Sequence, residues 1–361
     1  MIMKMLRNLR FSLCGNYYDR YEQEIAIFET DFGRLCLLAA LVILFAVVPF
    51  VSGSYTLYLL IIIAITSIAA LGLNILVGFT GQLSLGHGAF FGVGAYTAAV
   101  LAADFGWPFL LCVLAGGIVT AIVGIGFGLP SGRLKGLYLT IATLAGQFII
   151  EYVLVHWESV TKGVRGIVLP FPALFGIFLD GDIAYFYVTF IALVLMTFIA
   201  VNIMRSRYGR AFIAIRDNDR AAEGMGIPIF RYKLLSFAIS SFYAGFAGAL
   251  WAFYMVSITA EPFTLMLSVE YIAMIIIGGL GSIPGAIFGA AFIVMLNEIL
   301  RLITQFLMNT PFMSGIELTL APLRELAFGL AIVLFIIFEP RGLAELWRIV
   351  KSNFRLWPFS Y

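Results

Sequence analysis

Charge is scarce in this chain: only 12% of its 361 residues are Asp, Glu, Lys or Arg, about half the roughly 25% typical of soluble domains. Histidine is scarcer, with His87 and His156 alone and far apart in sequence. They offer neither a metal-ligand cluster nor a base beside a nucleophile, so a membrane-embedded enzyme has little to be built from. The three cysteines, Cys14, Cys36 and Cys112, fall in separate segments without paired or metal-like spacing, which argues against a disulfide framework and a zinc site. No stretch matches G-x-x-x-x-G-K-[ST], and no Gly-rich loop joins a strand to a helix. ATP, if the protein's work depends on it, must then be bound by another chain. The net charge of +2 is too small to imply nucleic-acid binding. A cleaved signal peptide keeps its apolar core near the N-terminus; here the first apolar run starts only after Arg34, behind "YDRYEQEIAIFETDF", and reads as a retained span.

What is abundant is apolar length, with 62% hydrophobic residues. A bilayer-spanning helix needs about 20 of them. Ten segments qualify: 35–51, 55–77, 88–103, 108–130, 137–157, 183–204, 232–256, 268–280, 284–304 and 323–339, of which the third and eighth are the shortest. The expected fold class is all-α, a polytopic integral membrane protein of about ten transmembrane helices with Gly-rich broken or re-entrant segments. Basic residues favour the cytoplasmic side. With both termini inside, five Lys and Arg precede the first span, two lie at Arg133 and Lys135, seven run from Arg205 to Lys233 and four are in the tail, leaving only Lys162, Arg165, Arg301 and Arg324 outside. The chain divides accordingly into an N-terminal cytoplasmic or interfacial segment (1–34), a transmembrane domain (35–339) with a cytoplasmic loop at 205–231, and a cytoplasmic tail (340–361).

Two Gly-rich passages interrupt the apolar pattern, "VGFTGQLSLGHGAFFGVGAY" at 77–96 and "IIGGLGSIPGAIFGAAF" at 276–292, and they share GAFFG and GAIFG. They read as an internal repeat of two halves carrying broken helices, or equally as small residues that let membrane helices pack closely. Backbone freed from a helix must lie against protein or line a watery cavity. Gly81, Gln82, Ser84, His87 and Gly88 are therefore candidates for the translocation pathway, with a helix N-terminus that could attract a solute carboxylate. His87 alone reads more readily as a structural hydrogen-bonding residue than as a proton relay. Gln147 and Glu151 lie one helical turn apart in an apolar run, and Glu151, with Glu270 and Glu298, is either interfacial or functional.

The most polar passage is "SRYGRAFIAIRDNDRAAEGMGI", 206–227. Phe212, Ile213 and Ile215 among Arg210, Arg216 and Asp217 suit a short surface helix. A second short helix follows: Asn218 or Asp219 can cap it, Glu223 lies in its early part, Gly226 can form a left-handed stop and Pro228 prevents continuation. Between two spans this is a docking element or an ordinary basic loop.

Together, "YGRAFIAIRDNDRAAEGMGI", "GLNILVGFTGQLSLGHGAFFGVGAYTAA" and "GGLGSIPGAIFGAAF" resemble the permease subunits of branched-chain amino-acid ABC importers of the LivM type, over approximately residues 55–340. The resemblance implies that the polar loop is the E-A-A-x-x-x-G coupling motif, matched at Ala221, Ala222 and Gly226, with Arg220 in place of the family's Glu. The ATPase-docking residues it implies are Gly209, Arg210, Arg216, Asp217, Asp219, Ala221, Ala222, Glu223 and Gly226. It also implies a bacterial inner-membrane assembly with a second, LivH-like permease, two ATPases of the LivG and LivF kind, and a periplasmic solute-binding protein. No cofactor is expected in this chain, ATP and magnesium residing in the ATPases, and its other contacts are with membrane lipid. Relatives serving urea, amides or aromatic acids leave the solute open, and a stand-alone channel or secondary transporter is the alternative class. Purified alone, the chain should neither bind nor hydrolyse ATP; nucleotide binding or phosphate release by this single chain would overturn that division of labour.

Overall fold

The computed structural model describes residues 48–308, apart from positions 52, 133, 135, 175–176 and 179–180, and parts of 326–349. Residues 58–345 form one compact unit; residues 1–57 with 346–361 form another, of which little is described. The segment 1–34, most of the first candidate span and most of the tail lie outside the described residues, and the tenth span is described only in pieces.

Helix α1 (Ser54–Asn74) runs into a π-helical turn, Ile75–Phe79. After a non-helical break come α2 (His87–Ala103), α3 (Phe109–Gly128), α4 (Leu137–His156) and α5 (Asp182–Arg205). Two short helices, α6 (Arg207–Asp217) and α7 (Asp219–Gly224), lead into α8 (Ile229–Met255), α9 (Leu265–Gly278) and α10 (Ile283–Met308). Six helices among the described residues are long and apolar enough to cross a membrane, and α2 and α9 are shorter apolar helices. At 1.5 Å per residue, α2 and α9 reach only about 25 and 21 Å, short of the ~30 Å hydrocarbon core. The chain is an all-α, multi-pass membrane protein.

The elements alternate between two ends. At one end the π-turn, the break at 80–86, the start of α4, the loop carrying α6 and α7, and the turn between α9 and α10 converge. Leu76, Leu139 and Phe237 form a buried apolar cluster there, with Leu134 packed against it. At the other end, β1 (Ile167–Val168) pairs antiparallel with β4 (Ser257–Ile258), and β2 (Ala173–Leu174) with β3 (Ile177–Phe178). Lys162 bridges to Asp104 there at 3.3 Å. Such two-residue pairings leave no mark in the sequence, because strand periodicity needs longer runs to show. They satisfy loop backbone that no helix covers.

Helices α1 and α8 are the most enclosed of the long helices. α8 packs along α2 and α3, where glycine removes the side chains that would hold backbones apart. A Cβ at Gly94 would lie 2.2 Å from Gly245 Cα, and one at Gly245 would lie 2.2 Å from Thr120 Oγ1. The second tight seam joins α9 to α10: a Cβ at Gly285 would lie 2.6 Å from Gly278 O. Both Gly-rich passages thus supply close packing as well as breaks. Tyr243 Oη donates to Met196 O at 2.8 Å, tying α8 to α5. Gly245→Val should overpack the α2–α3–α8 seam and cost about 1–3 kcal/mol or more, read as a lower unfolding temperature in detergent. Gly126→Ala, facing open space, should leave that temperature unchanged or slightly raised.

Candidate functional site

The polar loop folds as a two-helix elbow. Ser206 caps α6 by accepting from Tyr208 N at 3.1 Å, and Asn218 caps α7 by accepting from Ala221 N at 3.1 Å; each such cap contributes about 1 kcal/mol. Gly209, Ala211, Phe212 and Ile215 form the buried face of α6: Gly209, Phe212 and Ile215 recur every three residues and Ala211 lies four before Ile215, as one face of a helix requires. Gly226 ends the elbow at φ +83°, a left-handed conformation that suits glycine. A Cβ at Gly209 would lie 2.1 Å from Met204 O, so this glycine permits the sharp entry from α5. Ala222 is also fully buried. Of the nine docking candidates, Gly209 and Ala222 therefore hold the elbow to its own chain. Arg210, Arg216, Asp217, Ala221, Glu223 and Gly226 are exposed and Asp219 is half-buried. Arg220 and Met225 share the outward side, Met225 with 72% exposure. The burial of Ala222 means that a charge placed there would disturb the elbow itself before any partner.

In the break after the π-turn, the amides of Gly81, Gln82, Leu85 and Gly86 are paired within the protein. Leu85 N donates to Thr143 Oγ1 at 3.1 Å and Gly86 N to Ser84 Oγ at 3.4 Å. At the start of α2, Gly88 N donates to Ser268 Oγ and Ala89 N to Gln147 Oε1, both at 2.8 Å. Ser268 Oγ in turn donates to Gln147 Oε1, while Gln147 Nε2 donates to Phe263 O. His87 Nε2 donates to Ala69 O at 2.9 Å, and its ring meets Tyr271 edge-on. Two of the amide donors at the α2 N-terminus are thus already occupied, from α4 and α9.

Gln82 differs. Its side chain, 3% exposed, donates from Nε2 to Ser236 Oγ at 2.7 Å, yet its Oε1 is buried without a hydrogen-bond partner. Gln82 borders a cleft of about 430 Å³ beneath the elbow, lined also by Gly81, Leu83, Leu139, Arg216 and Lys233. Of the five pathway candidates, Gly81 and Gln82 line this cleft, whereas Ser84, His87 and Gly88 are buried within the helix packing.

The family described as branched-chain amino acid transport system / permease component matches residues 55–338. This chain belongs to that family. The permease is 31% identical to the high-affinity branched-chain amino acid transport system permease protein LivM of Escherichia coli K12, across 86% of this chain and 75% of that protein. It is 32% identical to LivM of Salmonella typhimurium, across 87% and 76%. LivH of Escherichia coli K12 is 27% identical over 62% of this permease and 77% of its own length. No solved structure matches the chain.

Two residues central to the permease's breaks carried weak signals in sequence. Asn74 reads only as one polar residue in a long apolar run, yet it donates to Ser282 O at 2.8 Å and accepts from Gly281 N at 2.9 Å. Gln147 was conspicuous for its apolar surroundings, but its partners lie 58, 116 and 121 residues away. Glu151 and Glu270 are half-buried, and Glu298 is paired with Arg301 at 2.7 Å. Gln147→Leu should strand the Ala89 amide and the Phe263 carbonyl, at about 1–3 kcal/mol per group. The expected readouts are a lower unfolding temperature and faster hydrogen exchange at Ala89; unchanged exchange would show that the cap is dispensable.

Proposed function

We propose that this permease is the membrane-spanning subunit of an ATP-driven importer of branched-chain or closely related amino acids, paired with a LivH-like permease, two cytoplasmic ATPases and a solute-binding protein. The carrying observation is the elbow: two capped helices anchored by Gly209, Phe212, Ile215 and Ala222 present Arg210, Arg220, Glu223 and Met225 outward between α5 and α8. A loop held only by chain connectivity would absorb a push; a capped and packed elbow can pass it to the helices it joins. ATP-driven closure of the ATPases then biases two states of the permease by contacting the elbow differently in each.

The proposed orientation places the elbow, both termini and the cleft at Gly81 and Gln82 on the cytoplasmic side of a bacterial inner membrane. It rests on the 18 inner against 4 outer basic residues. The six long helices and the shorter α2 and α9, with the expected spans at 35–51 and 323–339, make about ten. The filled amides at the start of α2 speak against an autonomous transporter that uses that helix end as its solute site.

The full set of subunits in proteoliposomes should accumulate leucine, isoleucine or valine only with ATP and binding protein present. Solute uptake by this chain alone, driven by an ion gradient, would overturn the reading. Arg220→Glu with Met225→Asp should reduce co-purification of the ATPases and lower uptake at least tenfold, with the unfolding temperature unchanged because both side chains are exposed. Full recovery of the ATPases with wild-type uptake would remove the elbow as the docking site.

A further inference from the structure

Arg216 stands where four elements meet. It is the penultimate residue of α6, and its Nη1 donates to Gly78 O at 3.0 Å, inside the π-turn that ends α1. Its Nε donates to Asp217 Oδ1 at 3.0 Å, with Nη2 at 2.9 Å from the same oxygen, which orients the guanidinium. The five N–H donors of a planar guanidinium make such simultaneous contacts possible.

Both Gly-rich turns close on this side chain. A Cβ at Gly81 would lie 3.0 Å from Arg216 Cγ, and one at Gly281 would lie 3.1 Å from Arg216 Nη1. Their φ values, +72° and +74°, are ones that glycine adopts freely. Asn74, the residue before the π-turn, fastens the second Gly-rich turn by donating to Ser282 O and accepting from Gly281 N. A Cβ at Gly78 would lie 2.1 Å from Asn74 Oδ1 and 2.4 Å from Gly281 N. A π-turn shifts the helical hydrogen-bond register and recurs at functional sites; here one of its carbonyls receives the guanidinium.

We propose that Arg216 is a positioning residue that clasps the elbow to the π-turn and, through Asn74, to the turn between α9 and α10, so that these elements move as one body during transport. Arg216 then acts within its own chain, although it lies in the loop assigned to docking. The proposal rests on the reading of the elbow as the ATPase-docking element, and its failure is separable from that of the reading, which the Arg220 and Met225 substitutions address.

The test uses the fully assembled transporter. Arg216→Ala should lower uptake per ATP hydrolysed at least tenfold while the ATPases co-purify in wild-type yield, and Arg216→Lys should restore part of the loss. Loss of the ATPases from the Arg216→Ala complex would place the residue in the docking contact and overturn the clasp, as would an unchanged uptake per ATP. A covalent replacement guards against a variant that merely misfolds. The Cβ built at Gly81 is 3.5 Å from Arg216 Cβ, at the short end of the range that a disulfide accepts. In a chain with Cys14, Cys36 and Cys112 replaced by Ala, Gly81→Cys with Arg216→Cys should transport poorly when reduced and several-fold better when oxidised. Inactivation on oxidation, reversed by reductant, would show that the two elements must separate, and would overturn the proposal.

Discussion

Within a bilayer, a backbone amide or carbonyl released from a helix has no water to turn to, and leaving it unpaired costs several kcal/mol. Much of this permease is arranged around that constraint. Its chain leaves helical geometry after Phe79 and again after Gly278, and at both places side chains from distant segments supply the missing partners. Gln147 and Ser268 serve the start of α2, Thr143 serves Leu85, and Asn74 serves the turn before α10. The same contacts hold α1, α2, α4 and α9 in register. Satisfying the breaks and assembling the bundle are one process.

Close helix approach depends on the opposite chemistry. Where α2 and α3 meet α8, and where α9 meets α10, glycines let the facing helix come so close that a Cβ in their place would meet its backbone, as at Gly94 and Gly289, or the base of a side chain, as at Gly124. Dispersion at short range, rather than exclusion of water, must hold such seams, because lipid tails are as apolar as the side chains they would replace. The polar caps and the glycine seams occupy the same helices. A shift of α8 along α2 or α3 would therefore be resisted by direct steric contact.

These two features locate the chain's mechanical interest at the end where the elbow sits. α6 and α7 are joined directly to α5 and lead through Pro228 into α8, while Arg216 and Gln82 link that region to the two Gly-rich turns. Gln82 borders the cleft beneath the elbow, and its Oε1 is a buried acceptor without a partner. Ser84, His87 and Gly88 belong to the solid part of the same region, where their polar atoms serve internal contacts.

The sequence by itself determined what local pattern can encode. Apolar length and scarce charge marked a multi-pass membrane protein, and helix limits at 109–128, 137–156 and 182–205 fall within one or two residues of the segments read from hydropathy. The motifs resembled the family to which the chain belongs, and a cap at Asn218 or Asp219, which the structure places on Asn218, and a stop at Gly226 were legible because capping is a matter of a few neighbouring residues. Tertiary structure alone decided which polar residues meet. Asn74 and Gly281 are 207 residues apart, and Arg216 and Gly78 are 138 apart. It also turned Gly209 and Ala222 inward and filled the amides at the start of α2. Hydrogen bonds across a bundle depend on helix rotation and depth, which arise from the packing of every helix at once and leave no periodic trace along the chain.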